Sequence, residues 1–319
     1  MQWQANICSY AQMSICNVER GCVKFPTMTI VLSPVQYLQY RFKKEKNMNH
    51  KSAFIGEALG TFILVLFGCG SVAVSVLFEA HHGLMQVALA WGIGVTLAIY
   101  LTRHMSCAHL NPAVSLAMVF GGRMSSRKLP VYLTAQFTGA ILAGLVIYAL
   151  FAPSIASFEN ANCIVRGSLE SARTAMMFGE FYPAPGGGAV VSMHLAIAAE
   201  AFGTFILTLM IFALTEGCNV GRPDDALAPI FIGLTVTSVI CLIAPLTQAG
   251  LNPARDLGPR LVAWLMGWGG AAFPDHAGGF FFVYVLGPLL GGISASGFFV
   301  RILEPIMKNQ SLKCDCKPE

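Results

Sequence analysis

The sequence is short of charged residues, and that shortage excludes most soluble folds. Only 11% of the 319 residues are Asp, Glu, Lys or Arg, whereas 55% are hydrophobic. Soluble domains carry about 25% charged residues, so this chain lacks the groups needed to cover a water-exposed surface of its size. The net charge of +4 is small, and no basic and aromatic surface suggests nucleic acid as a partner. We therefore expect a membrane protein whose partner is the lipid bilayer.

The sequence also lacks the patterns of a metal centre, a disulfide framework or an enzyme. Its ten cysteines have neither the spacing of a secreted framework nor that of a four-ligand zinc site. No Ser/His/Asp set is visible, and the glycine-rich stretch at 183–188 has no strand–helix pattern around it. We expect no catalytic residue, no metal and no cofactor.

Long hydrophobic runs are what the sequence has instead. A helix needs about 20 apolar residues to cross the hydrocarbon core of a bilayer. Six stretches are long enough, namely 54–78, 84–102, 131–152, 194–214, 227–247 and 280–303. Two shorter runs, 111–121 and 252–266, are each about half a span. The sequence therefore predicts an all-α membrane protein with six transmembrane helices and two re-entrant half-helices.

Two motifs occur twice and in the same order. EALGTFIL begins at Glu57 and EAFGTFIL at Glu200, while Leu-Asn-Pro-Ala contains Asn111 in one copy and Asn252 in the other. Each half then holds three spans and one half-helix. Because an odd number of spans turns the second half upside down, we expect an inverted repeat with its axis in the membrane plane.

The chain divides into segments of different composition. We assign residues 1–47 to an N-terminal extension and residues 305–319 to a tail. The first repeat covers about 52–152 and the second about 194–303. The repeats form one domain, 48–304, and the extension, which has no signal-peptide pattern, is expected to be disordered or a misassigned start. Lys and Arg concentrate before the first span, after the first half-helix and after the sixth span, which predicts that both termini are cytoplasmic and that the 153–193 connection lies outside.

The repeated Asn-Pro-Ala predicts a helix that starts at half depth in the membrane. Pro suits the first helical position, and Asn before it is a favoured N-cap. The residues concerned are Asn111, Pro112, Ala113, Asn252, Pro253 and Ala254. We expect extended backbone before each proline, with unpaired carbonyls that either pack in protein or line a water-filled cavity. Those carbonyls would belong to Cys107, Ala108, His109, Gln248, Ala249 and Gly250.

Two positive helix ends would then face one point, each worth about half an elementary charge, and would repel cations and protons. Amide donors beside carbonyl acceptors suit water or a small polyol, although two capped, buried helices without a pore are the alternative. Arg255 at membrane depth needs water or a partner, so we expect it to bind the permeating solute and to add a second barrier to cations. Asp256 either pairs with Arg255 or orders the loop.

Glu57 and Glu200 are intramembrane carboxylates with two open interpretations. One is a proton relay. The other, which we favour, is that each carboxylate accepts hydrogen bonds from backbone N–H groups of a re-entrant loop.

These features resemble the aquaporin or major intrinsic protein family over about residues 52–304. WGIGVTLAIYLT, AHLNPAVS, IVRGSLES and NPARDLGPRLVAWLMGWG are similar to its glycerol-facilitator branch, and most of all to bacterial members. The resemblance implies the aquaporin fold, a homotetramer with one passive pore per subunit, and a plasma (inner) membrane location.

The resemblance also implies a selectivity filter at Trp91, Ile240, Ala249 and Arg255. Trp91 and Arg255 match the glycerol-facilitator pattern. Ala249 stands where that branch usually has an aromatic residue, and Ile240 where it usually has Gly. This departure resembles plant nodulin-like channels, which pass glycerol and metalloid acids.

The predicted function is a passive channel for glycerol and other small uncharged solutes, with water, that excludes protons and ions. The alternatives are a mainly water-selective or metalloid-acid channel, and a coupled secondary transporter, which needs a titrating carboxylate in the solute path. A structural membrane protein with a closed pore is a further alternative.

Overall fold

The computed structural model describes residues 21–25, 28–32, 50–81, 83–273 and 279–314. In this part of the chain, six helices are long and apolar enough to cross a membrane: His50–Phe78, Leu84–Ser106, Ser126–Ala161, Met193–Thr215, Ala228–Thr247 and Phe281–Asn309. We number the α-helices α1 His50–Phe78, α2 Leu84–Ser106, α3 Pro112–Phe120, α4 Leu129–Ala161, α5 Ala172–Ala175, α6 Met193–Thr215, α7 Ala228–Thr247, α8 Pro253–Ala263, α9 Gly287–Phe298 and α10 Glu304–Cys314. The six spans and two half-helices expected from hydropathy are thus confirmed.

The N-terminal extension contributes one described element, an antiparallel hairpin. Strand β1 is Gly21–Phe25 and β2 is Met28–Leu32, with Gly21 opposite Leu32. The expected disorder of residues 1–47 otherwise falls outside the described residues.

The third span is longer than its apolar run. The sequence predicts an end at 152, just before Pro153, but α4 continues to Ala161. A proline inside a helix removes one backbone hydrogen bond. Here the continuation is stabilised by burial of Ile155 and by Glu159, which accepts hydrogen bonds from Arg166 at 2.8 Å and from Thr174 at 2.8 Å. The connection to α6 therefore starts at about residue 162 instead of 153.

Helices α2 and α7 cross with their backbones in contact, and the contact is reciprocal. A Cβ atom added to Gly92 would lie 2.5 Å from the carbonyl oxygen of Gly233, and one added to Gly233 would lie 2.3 Å from that of Gly92. Small residues permit such close approach between membrane helices. The exchange of equivalent contacts is the two-fold relation expected of an inverted repeat.

Each half-helix packs in the opposite repeat. Helix α3 of the first repeat packs against α9 of the second, and α8 of the second repeat packs against α4 of the first. The N-terminal ends of α3 and α8 consequently meet in the middle of the molecule. We call the side that carries the start of α1 and the end of the sixth span the terminal face, and the side that carries residues 162–192 the loop face.

Candidate functional site

The two half-helices are capped by the asparagines of the repeated motif, and each cap also reaches into the other repeat. Asn111 Oδ1 accepts from the Ala113 N–H at 2.8 Å, and Asn252 Oδ1 accepts from the N–H groups of Ala254 and Arg255 at 3.1 and 3.2 Å. Asn111 Nδ2 donates to the carbonyl of Leu251 at 2.9 Å, and Asn252 Nδ2 to that of Leu110 at 2.8 Å. An amide NH₂ has two hydrogens, so each asparagine has a second hydrogen that this bond does not use.

The backbone before each motif is not extended as expected. The residue directly before each proline is extended, with φ −155° at Asn111 and −145° at Asn252. The restriction that proline imposes reaches one residue and no further. Left-handed backbone with positive φ occurs instead at equivalent positions of both repeats, namely Cys107, Ala108, Leu110, Gln248, Ala249 and Leu251. Such residues cost about 1–2 kcal/mol each, so neighbouring groups must hold them in place.

Two buried carboxylates hold these loops. Glu57 accepts hydrogen bonds from the N–H groups of His109 at 2.9 Å and Leu110 at 2.7 Å. Glu200 does the same for Gly250 at 2.8 Å and Leu251 at 2.7 Å. Both side chains are fully buried. Their oxygens are engaged by the loop backbone, as loop support requires.

A cavity of about 240 Å³ runs along the meeting point of the half-helices. It extends from Arg103 and Asp225 near the terminal face to Trp91 and Arg255 on the way to the loop face. The sequence-predicted residues that line it are Trp91, Cys107, Ala108, His109, Asn111, Ile240, Ala249, Gly250, Asn252 and Arg255. Gln248, whose carbonyl is expected to line the pore, is not among the lining residues. Its backbone is left-handed instead of extended, with φ 60° and ψ 2°, and its side-chain Oε1 accepts from the Phe181 N–H at 2.7 Å on the loop face.

At the loop-face end of the cavity, Arg255 lies against Trp91. The guanidinium carbon is 4.1 Å from the centroid of the indole ring, a cation–π distance. Gly68 on α1 permits the ring to lie there, because a Cβ atom at that position would be 2.1 Å from it. Ile240 and Ala249 line the same cavity.

Asp256 does not pair with Arg255. Its carboxylate accepts from Arg260 at 2.7 and 3.0 Å and from the N–H of Glu180 at 2.7 Å, so it orders the loop-face connection. The partner of Arg255 is Glu180, which sequence reasoning did not identify. Glu180 belongs to no periodic or repeated pattern, so no signal in a single sequence marks it.

On the terminal face, one arginine joins segments of both repeats. Arg123, just after α3, forms ion pairs with Glu216 at the end of α6 and, at 3.2 Å, with Glu304. Partial burial tends to raise the pKa of Glu216, but hydrogen bonds from Arg123 and from the Cys218 N–H outweigh that effect and hold the pKa below its usual value.

Comparison with protein families matches residues 44–299 to the major intrinsic protein model. A glycerol uptake facilitator protein of Pseudomonas aeruginosa is 39% identical over 83% of this chain and 93% of its own length. The protein of the same name from Escherichia coli is 38% identical over 83% and 91%. A propanediol uptake facilitator of Citrobacter freundii is 36% identical over 84% and 98%.

Among solved structures, the chain is similar to the aquaglyceroporin from Plasmodium falciparum. The TM-score is 0.71 at 25% identity, and the match covers 82% of this chain and 100% of that one.

Proposed function

The chain belongs to the major intrinsic protein family, and on that premise we propose that it is a passive membrane channel for glycerol and other small uncharged solutes, with water. The observation that carries this proposal is the cavity lined by Asn111, Asn252 and Arg255. Asn111 and Asn252 carry hydrogen-bond donors where the two helix N-termini meet, and Arg255 carries further donors at the loop-face end of the cavity. Such a site suits a hydroxyl oxygen and repels a cation.

The names of the relatives and the residues around Arg255 support the proposed substrate class. Relatives over most of the chain are named for the uptake of glycerol and of propanediol, both small polyols. A polyol presents hydroxyls along one edge and carbon along the other. Trp91 and Ile240 offer an apolar wall for the carbon edge, and Arg255 offers donors for the hydroxyls. The small side chain of Ala249 leaves room on the wall where the branch usually has an aromatic ring.

We further propose a homotetramer in the plasma (inner) membrane, with both termini in the cytoplasm. The apolar outer surface supports a lipid or subunit environment, since Leu150, Leu242 and Leu265 are each more than 60% exposed. The cluster of Lys and Arg near the terminal face supports the orientation.

Reconstitution in liposomes tests the proposed function. Light scattering after a glycerol gradient should show fast entry into vesicles that contain the protein. Replacing Arg255 or Trp91 should change the preference between glycerol and propanediol. Glu170→Gln, an exposed position on the loop face, is the matched control and should leave the rates unchanged.

Two results would contradict the proposal in different ways. Fast water flow without glycerol entry would favour the water-selective alternative and would mean that Ile240 narrows the path more than Ala249 opens it. Glycerol uptake that stops when a proton gradient is abolished would favour a coupled transporter.

A further inference from the structure

The guanidinium of Arg255 is paired inside the protein. Its Nη2 donates to the carboxylate of Glu180, and the two side chains are only 5% and 4% exposed. Nη1 is also buried but has no hydrogen-bond partner among the described residues. Buried donors are rarely left unpaired, so an unpaired one indicates a position where water or a solute binds. Arg255 therefore has one donor group neutralised by a carboxylate and one available.

The position of Glu180 does not depend on its carboxylate. Its N–H donates to Asp256 at 2.7 Å, and its carbonyl accepts from Arg260 at 2.6 Å. The next residue, Phe181, donates its N–H to Gln248 at 2.7 Å. These backbone contacts fix the segment on α8 and on the end of α7. The Glu180 side chain can consequently be changed without releasing the segment.

A pore of this kind must exclude ions of both signs. The two half-helix N-termini contribute about half a positive charge each, and an unpaired Arg255 would add a full one. This excess repels cations, but it attracts anions, and a buried guanidinium is itself a strong binding group for planar anions. The carboxylate of Glu180 cancels the charge of Arg255 and occupies one of its anion-binding positions.

We propose that Glu180 is the residue that excludes small anions from this pore, while the free donor of Arg255 serves neutral solutes. The inference rests on the proposed channel function, because it assigns the charge selectivity of the same pore. Glu180 lies outside the repeated motifs and outside the four filter positions.

Nitrate is a suitable probe because it is small, planar and fully ionised at neutral pH. Vesicles containing the full chain are exposed to a potassium nitrate gradient with valinomycin, and swelling is followed by light scattering beside a glycerol gradient. Wild-type protein should admit glycerol quickly and nitrate no faster than protein-free vesicles. Glu180→Gln should raise nitrate entry about tenfold or more, since a full charge close to the path changes the energy of an ion by several RT, and should leave glycerol entry within about threefold.

Three comparisons make the result decisive. Glu180→Asp keeps the negative charge and should keep nitrate out. Glu180→Ser removes the charge, and it takes the place of Glu180→Gln if the Glu180→Gln protein fails to assemble. Glu170→Gln removes an exposed carboxylate of the same connection and should behave as wild type. Nitrate entry through wild-type protein, or a charge-removing variant that passes glycerol quickly and still excludes nitrate, would overturn the inference. Slow glycerol entry through wild-type protein would instead count against the proposed function.

Discussion

Replacing Glu57 with glutamine is expected to weaken the re-entrant loop without affecting any proton-linked step. The carboxylate lies where its two oxygens face two backbone N–H groups and the side-chain amide of Gln136. The substitution keeps the size of the side chain and changes one acceptor into a donor. It therefore separates loop support from proton transfer, the two roles that an intramembrane carboxylate can have.

The magnitude follows from the number of donors that lose an acceptor. Oε1 accepts from His109 at 2.9 Å, while Oε2 accepts from Leu110 at 2.7 Å and from Gln136 at 2.7 Å. Whichever oxygen becomes an NH₂ group, at least one buried backbone N–H then faces a donor. An unsatisfied buried group costs about 1–3 kcal/mol. Glu57→Ala removes the acceptor of each of these hydrogen bonds and leaves a cavity, so we expect a loss of roughly 4 kcal/mol or more.

The equivalent change in the second repeat should be milder. Glu200 Oε1 accepts from Gly250 and from the hydroxyl of Thr247, and Oε2 accepts from Leu251. A hydroxyl can turn and accept from the new NH₂ group, whereas the Gln136 amide can present its oxygen only by flipping, after which it no longer donates to Ser115. We expect Glu57→Gln to be less stable than Glu200→Gln.

The assay combines thermal unfolding in detergent with glycerol entry at several pH values. Glu79→Gln, at an exposed carboxylate just beyond α1, is the control and should match wild type. The expected result is lower stability and slower glycerol entry, with the same pH profile as wild type. A Glu57→Gln protein that unfolds like wild type but loses a proton-coupled component of transport would refute the loop-support argument.

Three smaller predictions concern other contacts. Glu216→Gln should lower stability at pH 7 by no more than about 1 kcal/mol, because the pair with Arg123 is partly exposed; since the pKa of Glu216 is depressed, the difference from wild type should be present above pH 4.5, shrink as the pH falls below it, and be absent from unfolding curves at the lowest pH. Gly92→Ala should destabilise the protein by about 1–3 kcal/mol or prevent assembly, as seen by size-exclusion chromatography, because the added methyl would lie 2.5 Å from a backbone oxygen of α7. Asn252→Ala should lower the unfolding temperature more than Asn111→Ala, because its oxygen caps two N–H groups instead of one, and equal losses would contradict this reasoning.

The parts of the fold that hydropathy controls could be predicted from the sequence. Span limits follow from the lipid thickness, and the ends of α3 and α8 follow from the local chemistry of Asn and Pro. The end of α4 could not be predicted, because helix beyond Pro153 depends on contacts of Glu159 with Arg166 and Thr174, which form only when the following connection folds back on α4. Backbone conformation before each motif was predicted wrongly for the same reason. Left-handed residues are unfavourable locally and are held by carboxylates about 50 residues away.

Some residues of the candidate site could likewise be predicted from the sequence, and others could not. Asn111 and Asn252 are found from sequence because the motif is repeated and each cap acts within its own half-helix. Glu180 could not be found, because its role depends on how a non-repetitive connection folds back over Arg255. Gly68 is likewise recognised only once Trp91 is seen to lie against it.

The inverted repeat gives this pore a symmetric frame, and the exceptions to that symmetry are where selectivity is expected. Caps, left-handed loops and supporting carboxylates occur in both repeats at equivalent positions. The residue directly after the Asn-Pro-Ala motif differs between the repeats, because it is Val114 in one half and Arg255 in the other. A charge present in one half only needs a partner that the repeat cannot supply, and that partner comes from the connection between the halves. Because Glu180 is the partner, a solute meets the paired charge of Arg255 at one end of the pore only. At the symmetric centre of the pore, the positive half-charges of the two helix N-termini exclude protons and cations.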